Sequence, residues 1–142
     1  MGIGYVPQGR EIFPQLTVEE NLRVGLGIRP RGPRSIPDRI YELFPILEQM
    51  RHRRGGNLSG GQKARVAMAQ CLLSGASVLL LDEPTNHLDM SSTQVMERAL
   101  LHFPGAVVVV SHDRFFTEKI ANRYLVFGAE HAKLGEVAVR GA

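Results

Sequence analysis

The run Val78-Leu-Leu-Leu81, followed at once by Asp82-Glu83-Pro84, constrains the fold more than any other feature of this chain. Four apolar residues in a row offer water no polar face, so the segment reads as a parallel strand covered on both sides. A second buried strand is expected at Ala106–Val110, with shorter ones at Ile3–Val6 and Tyr124–Phe127. Helices fall between them. Gln62–Ser74 is rich in small and apolar residues and closes at Gly75. Another helix runs from a cap at Ser91 or Ser92 to about His102, where Pro104-Gly105 ends it, and a third spans Arg114–Asn122. Strands alternating with helices give an α/β fold around a parallel sheet.

Upstream of that core the pattern is helical. Thr17-Val-Glu-Glu20 is a capping box that opens a helix to about Leu26. Gly27–Pro37, with three prolines and two glycines, is a loop. A further helix carries Ile40, Leu43, Phe44 and Leu47 on one face, and Arg51–Asn57 reads as an exposed connection. With 142 residues there is room for one domain and a single core.

Composition excludes some classes. The longest apolar runs are far too short to cross a bilayer, and the N-terminus shows no cleavable signal. The single cysteine, Cys71, cannot form an internal disulfide and reads as a core thiol, which points to a reducing cytoplasm. The net charge of +3 is unevenly placed: between Arg23 and Arg54 there are eight arginines against Asp38, Glu42 and Glu48. Such a patch can meet RNA or anionic headgroups; the plainer reading is a solvated arginine-rich surface.

Two segments carry chemistry. Leu58-Ser59-Gly60-Gly61-Gln62 stands at the start of a helix, where free N–H groups and the positive dipole end suit a phosphate. Two glycines let the backbone approach an anion, and Ser59 can donate a hydroxyl hydrogen bond. Alone, the motif is equally a glycine-rich helix cap. The strand Val78–Leu81 delivers two carboxylates at its C-terminal end. In nucleoside triphosphatases one Asp so placed serves the magnesium shell, and an adjacent Glu can polarise an attacking water. Following the glycine motif at this distance, the pair is more than the polar end of a strand.

Together these segments resemble the ATP-binding cassette (ABC) family. Leu58–Gln62 is similar to its signature motif and Val78–Glu83 to its Walker B strand. Asn86-His-Leu-Asp89 resembles the D-loop, Ser111-His-Asp113 the switch-histidine loop, and Tyr5-Val-Pro-Gln8 the Q-loop. The resemblance implies ATP and Mg2+ as cofactors. It implies that Gln8 senses the metal and the attacking water, that Asp82 holds magnesium through water, and that Glu83 is the catalytic base. His112 would contact the γ-phosphate. Asp89 would act across a dimer interface, and Ser59, Gly60, Gly61 and Gln62 would close over ATP held by a second cassette.

Two departures matter. No G-x-x-x-x-G-K-[ST] phosphate loop occurs in the chain, so it reads as a truncated P-loop NTPase whose ATP binding alone is weak. The second departure is a seam. Gly2–Asn57 resembles ATPases of branched-chain amino acid and urea importers, whereas Lys63–Phe127 resembles ABC-F proteins, which act on ribosomes.

The fold expected is therefore α/β: a partial cassette over residues 1–142, with an inserted helical subdomain at 17–57 and the motif-bearing core at 58–127. The function expected is ATP binding and hydrolysis coupled to transport. Its alternatives are an ABC-F-type translation factor and a catalytically silent partner cassette. The partners implied are a second cassette, in a homo- or heterodimer, then permease subunits, or instead the ribosome and its RNA. The location implied is cytoplasmic, with the inner face of the membrane as the importer variant. In the family a further strand lies between those at Val110 and Tyr124–Phe127. Without it, Gly2–Val6, Val78–Leu81 and Ala106–Val110 are expected to form one sheet with Val78–Leu81 central. Tyr124–Phe127 would then close against Val107–Val110 or pack away from its family position.

Overall fold

A computed structural model describes residues 2–8, 11–127 and 132–133. Strand β1 (Ile3–Val6) leads to helices α1 (Val18–Gly27), α2 (Asp38–Leu43) and α3 (Pro45–Gln49) and a 3₁₀ turn at Gly55–Asn57. Then come α4 (Gly60–Leu73), β2 (Val78–Asp82), α5 (Met90–Leu101), β3 (Ala106–Val110) and α6 (Arg114–Ile120). Two short strands, β4 (Val126–Phe127) and β5 (Ala132–Lys133), close the order.

The expected sheet forms. β1, β2 and β3 are parallel in the order β1-β2-β3, with Val6 opposite Leu81 and Asp82 opposite Val110. β4 is not part of it: it pairs antiparallel with β5 in a separate two-stranded sheet. This is a small α/β domain with a parallel sheet, as the sequence implied.

Burial of the sheet departs from expectation. Leu79 and Leu81 are sealed, but Val78 and Leu80 are only half-buried, and β3 shows Val108 and Val110 more than half exposed (51% and 55%). Register puts Ile3, Tyr5, Val78, Leu80 and Val108 on one face and Val6, Leu79 and Leu81 on the other. The core cluster gathers on the second face only. A run of apolar residues records what a strand could bury, not what covers it.

Three boundaries differ as well. The single helix expected around Ile40–Leu47 is broken at Phe44, which takes φ −130° and ψ 70°. Pro45 is the cause, since it lacks an N–H and disfavours helical backbone in the residue before it. The apolar face survives the break: Ile40, Phe44 and Leu47 are all buried. Helix α5 is capped by Asp89 rather than by Ser91 or Ser92, the Ser92 N–H donating to Asp89 Oδ1 at 2.7 Å. Helix α6 stops at Ile120, short of Asn122.

The segment Arg51–Asn57 is less free than its polarity implied. Gly55 is buried, and a Cβ there would stand 2.7 Å from the Phe13 carbonyl oxygen. The Gly55 and Gly56 N–H groups donate to the Leu16 and Pro14 carbonyls at 2.8 and 2.9 Å. Part of the basic patch is spent locally too, since Arg23 and Arg51 both pair with Glu19 at 2.8 and 3.2 Å. Their hydrogen bonds hold its carboxyl below the usual range.

Candidate functional site

Parallel pairing brings the C-terminal ends of the three strands together, where open α/β sheets place their ligands. The residues following those ends are Pro7-Gln8, Glu83 and Ser111-His112. Glu83 is held there by its N–H, which donates to the Val110 carbonyl at 2.8 Å. Its φ of +44° is the left-handed region that non-glycine residues rarely adopt. That turn swings the carboxylate toward β3. His112 Nε2 lies 3.4 Å from Glu83 Oε1, and the His112 N–H donates to Oε2 at 3.4 Å. The carboxylate is sheltered, at 19% exposure, while the imidazole stands in solvent at 98%.

Asp82 ends the same strand, half-buried beside it. Gln8 is exposed just past β1. Among the described residues no group of three or more His, Cys, Asp or Glu is placed to hold a metal ion. The sheet end does present the carboxylate of Asp82 next to that of Glu83, and magnesium takes one or two carboxylates together with waters and substrate phosphates.

The second half of the site is the N-terminus of α4. Ser59 and Gln62 form a reciprocal capping box: the Gln62 N–H donates to Ser59 Oγ at 3.3 Å, and the Ser59 N–H donates to Gln62 Oε1 at 2.9 Å. Ser59 Oγ thus accepts within the chain, and its hydroxyl hydrogen has no protein acceptor among the described residues. The Gly60 and Gly61 N–H groups have no protein partner among the described residues, as expected of a helix's first turn. This 14-residue helix presents them at its positive end.

Asp89 caps α5, and hydrogen bonds from Ser92 hold its carboxyl below the usual carboxylate range. A Cβ on Gly61 would stand 2.6 Å from Ser92 Oγ, so the starts of α4 and α5 touch. The structure therefore gathers Gln8, Asp82, Glu83 and His112 at the sheet end, and Ser59, Gly60, Gly61, Gln62 and Asp89 at the paired helix starts.

Two residues take places that the sequence did not indicate. Ser92, expected as a candidate cap, is instead buried against Gly61. Asn21 is fully buried, accepting from the Phe13 N–H at 2.9 Å and donating to the Phe13 and Thr17 carbonyls at 3.0 and 2.9 Å. A signal for Asn21 existed: it interrupts the apolar stripe Val18, Leu22, Gly25 and Leu26 at helical spacing. Cys71 behaves as a core thiol, pushed up to about 11 by burial.

Comparison with known proteins identifies the family and the fold. The family model described as ABC transporter matches residues 1–86. The chain is 43% identical over 115 residues to the energy-dependent translational throttle protein EttA of Haemophilus influenzae, covering 80% of this chain and 21% of that protein. It is 39% identical over 127 residues to EttA of Mycobacterium tuberculosis, covering 88% and 23%. It thus spans about a fifth of the length of these relatives. Among solved structures it resembles MJ0796, a bacterial ABC transporter cassette seen as a dimer, with TM-score 0.70 and 30% identity over 87% of this chain and 57% of that one. A post-hydrolysis dimer of the same cassette, bound to ADP and Pi, matches at TM-score 0.72 and 30% identity, covering 99% and 64%. No helix among the described residues is long and apolar enough to cross a membrane. The chain belongs to the ABC transporter family, as an ATPase cassette whose core resembles that of ABC-F proteins.

Proposed function

We propose that this chain supplies the catalytic carboxylate and the signature helix of an ATP-hydrolysing cassette pair that works with Mg2+. The observation that carries the reading is the pairing of Glu83 and His112 at the sheet end, with Glu83 in a left-handed turn. Within it, Glu83 accepts a proton from the attacking water. The neighbouring His112 keeps that carboxylate oriented and offers its other face to a terminal phosphate. Asp82 and Gln8 stand where a magnesium ion and its waters would be met; bound there, the ion neutralises phosphate charge. Ser59, Gly60, Gly61 and Gln62 take the terminal phosphate of a nucleotide held by a second cassette, with Asp89 at the same interface. Support for a second cassette comes from MJ0796, solved as a dimer.

The conformational work is proposed to be of the ABC-F kind, in the cytoplasm. Support comes from the two EttA relatives, which cover four-fifths or more of this chain. A transport motor at the inner face of the membrane is the second reading. It is favoured by the importer-like run Val6–Leu22 and by the transporter description of the family model. The test joins a phosphate-loop segment from a complete cassette to this chain, so that nucleotide is held beside Glu83, and measures ATP binding and phosphate release. Glu83→Gln is expected to lower release about 100-fold or more while leaving nucleotide binding intact. Equal release by wild type and Glu83→Gln would reject the assignment. Nucleotide-dependent cosedimentation with ribosomes, against recovery with membranes, separates the two readings.

A further inference from the structure

At the opposite end of the strands from Glu83 lies a cavity of about 360 Å³. Its walls come from the loop before α2, the C-terminal turn of α4 and the C-terminal turn of α5, and it opens just before β2 and β3 begin. The volume falls in the lower part of the range for small-molecule sites, roughly 300–1,000 Å³. The interior is apolar: Ile40, Leu73 and Ala99 are each 5% exposed or less, and Phe103 supplies an aromatic wall.

Its charged lining residues are Arg29 and Arg39, with no carboxylate among the residues that form it. Neither arginine has an acidic partner within ion-pair distance among the described residues. Arg39 Nη2 donates to the His102 carbonyl at a long 3.4 Å. Arg29 lies over Gly75, where a Cβ would stand 2.7 Å from its Nε; the missing side chain leaves that room, and the φ of +70° suits glycine independently. A simpler role for both arginines is to cap the two helix C-termini beside them. Each terminus carries about half a negative elementary charge. Two full positive charges exceed two halves, so the mouth keeps an excess of about one.

From the apolar interior and this single excess charge we propose that the cavity binds a small organic monoanion with an apolar body, an alkyl or aryl monocarboxylate. The carboxylate bridges Arg29 and Arg39 at the mouth, and the hydrocarbon fills the space between Ile40, Leu73 and Phe103. A guanidinium presents paired donors that match a carboxylate, and the apolar body displaces water from walls that cannot hydrogen-bond it. The site lies outside the nucleotide end of the sheet and assigns the chain a second ligand.

The probes are octanoate and its uncharged analogue octanol, titrated into the full chain and followed by calorimetry and by amide chemical shifts. Octanoate is expected to bind saturably, with a Kd of about 1 mM or tighter, and to shift Gly75, Ala76 and Phe103. Arg29→Gln and Arg39→Gln are each expected to weaken it about tenfold while lowering the melting temperature by no more than about 4 °C, since both side chains are exposed and a cation at an exposed helix end contributes little. Octanol should bind wild type no better than octanoate binds the double variant. Absence of saturable binding, equal affinity for octanol, indifference to both arginine changes, or shifts centred elsewhere would each overturn the site. Vesicles rich in phosphatidylglycerol are the second arm. Binding to them without binding to octanoate would overturn the proposal in favour of a lipid surface.

Discussion

Replacing Asn21 by Ala should be the most damaging polar substitution in the molecule. The side chain is fully buried and joins three pieces of chain. Its Oδ1 accepts from the Phe13 N–H, and its Nδ2 lies 3.0, 3.3 and 2.9 Å from the carbonyls of Phe13, Leu16 and Thr17. Gln70 of α4 donates to the Asn21 carbonyl at 2.8 Å and reaches Oδ1 at 3.5 Å. Alanine removes the partner of one N–H and of three carbonyls. Each carbonyl keeps a backbone donor: Thr17 O the Asn21 N–H at 2.9 Å, Leu16 O the Gly55 N–H at 2.8 Å and Phe13 O the Leu16 N–H at 3.3 Å. Only the Phe13 N–H is left unpaired, at roughly 1–3 kcal/mol, and a small cavity adds to that. A loss of about 2 kcal/mol follows, which for a chain of this size lowers the melting temperature by roughly 7 °C. Differential scanning calorimetry reads it directly. Asn21→Asp separates the causes: it keeps the acceptor for Phe13 but turns a carboxylate toward three carbonyls, so it should melt no higher than the alanine variant. A shift under about 2 °C for Asn21→Ala, or a near-native Asn21→Asp, would refute the account of this side chain as the pin between residues 13–17 and α4.

Other outcomes follow from single contacts. Cys71, pushed up to about 11, should react with iodoacetamide at pH 8 about 100-fold more slowly than an unperturbed thiol, and at the ordinary rate in urea; equal rates would deny its burial. Gly61→Ala should destabilise by about 1–3 kcal/mol because its Cβ meets Ser92 Oγ at 2.6 Å, and Ser92→Ala in the same chain should recover at least half; additive losses would deny the contact. The carboxyl of Asp89 is held below its unfolded range by Ser92, so its contribution is full above the unfolded value and fades as pH falls through the folded one. Melting curves from pH 7 to about pH 3 should therefore fall more steeply for wild type than for Asp89→Asn, which caps without titrating; parallel curves would refute this.

Much of the fold was legible because its signals are local. Thr17 and Glu20 both make their expected bonds, and the strand positions follow from apolar runs bounded by glycine and proline. The break at Phe44 was legible too, in Pro45, but the helical spacing of Ile40, Leu43 and Leu47 outweighed it in the reading. The cap at Asp89 also has a local signature, since an Asp three residues before the N–H of Ser92 is an ordinary capping spacing. Two things were not legible at all. Whether a sheet face is covered depends on what lies above it, so Val108 and Val110 read as buried and are not. The contact of Gly61 with Ser92 joins residues 31 positions apart and has no sequence signature.

That contact also bears on how the two halves of the site work together. From Glu83 the chain runs through tight turns, with the Asn86 N–H donating to the Glu83 carbonyl at 3.1 Å and the Leu88 N–H to Thr85 at 3.0 Å. His87 adds a second left-handed residue, at φ +58°. The run ends at Asp89, which caps α5, and three residues further on Ser92 touches Gly61 at the start of α4. Between the sheltered carboxylate and the free N–H groups of Gly60 and Gly61 there is thus a short path of backbone hydrogen bonds, one cap and one close packing contact. Both left-handed residues, Glu83 and His87, lie on that path. The connection lies within one chain, whereas Ser59 and Gly60 face outward. In the cassette pair proposed above, that path is the within-chain connection between the carboxylate end of the sheet and the outward-facing start of α4.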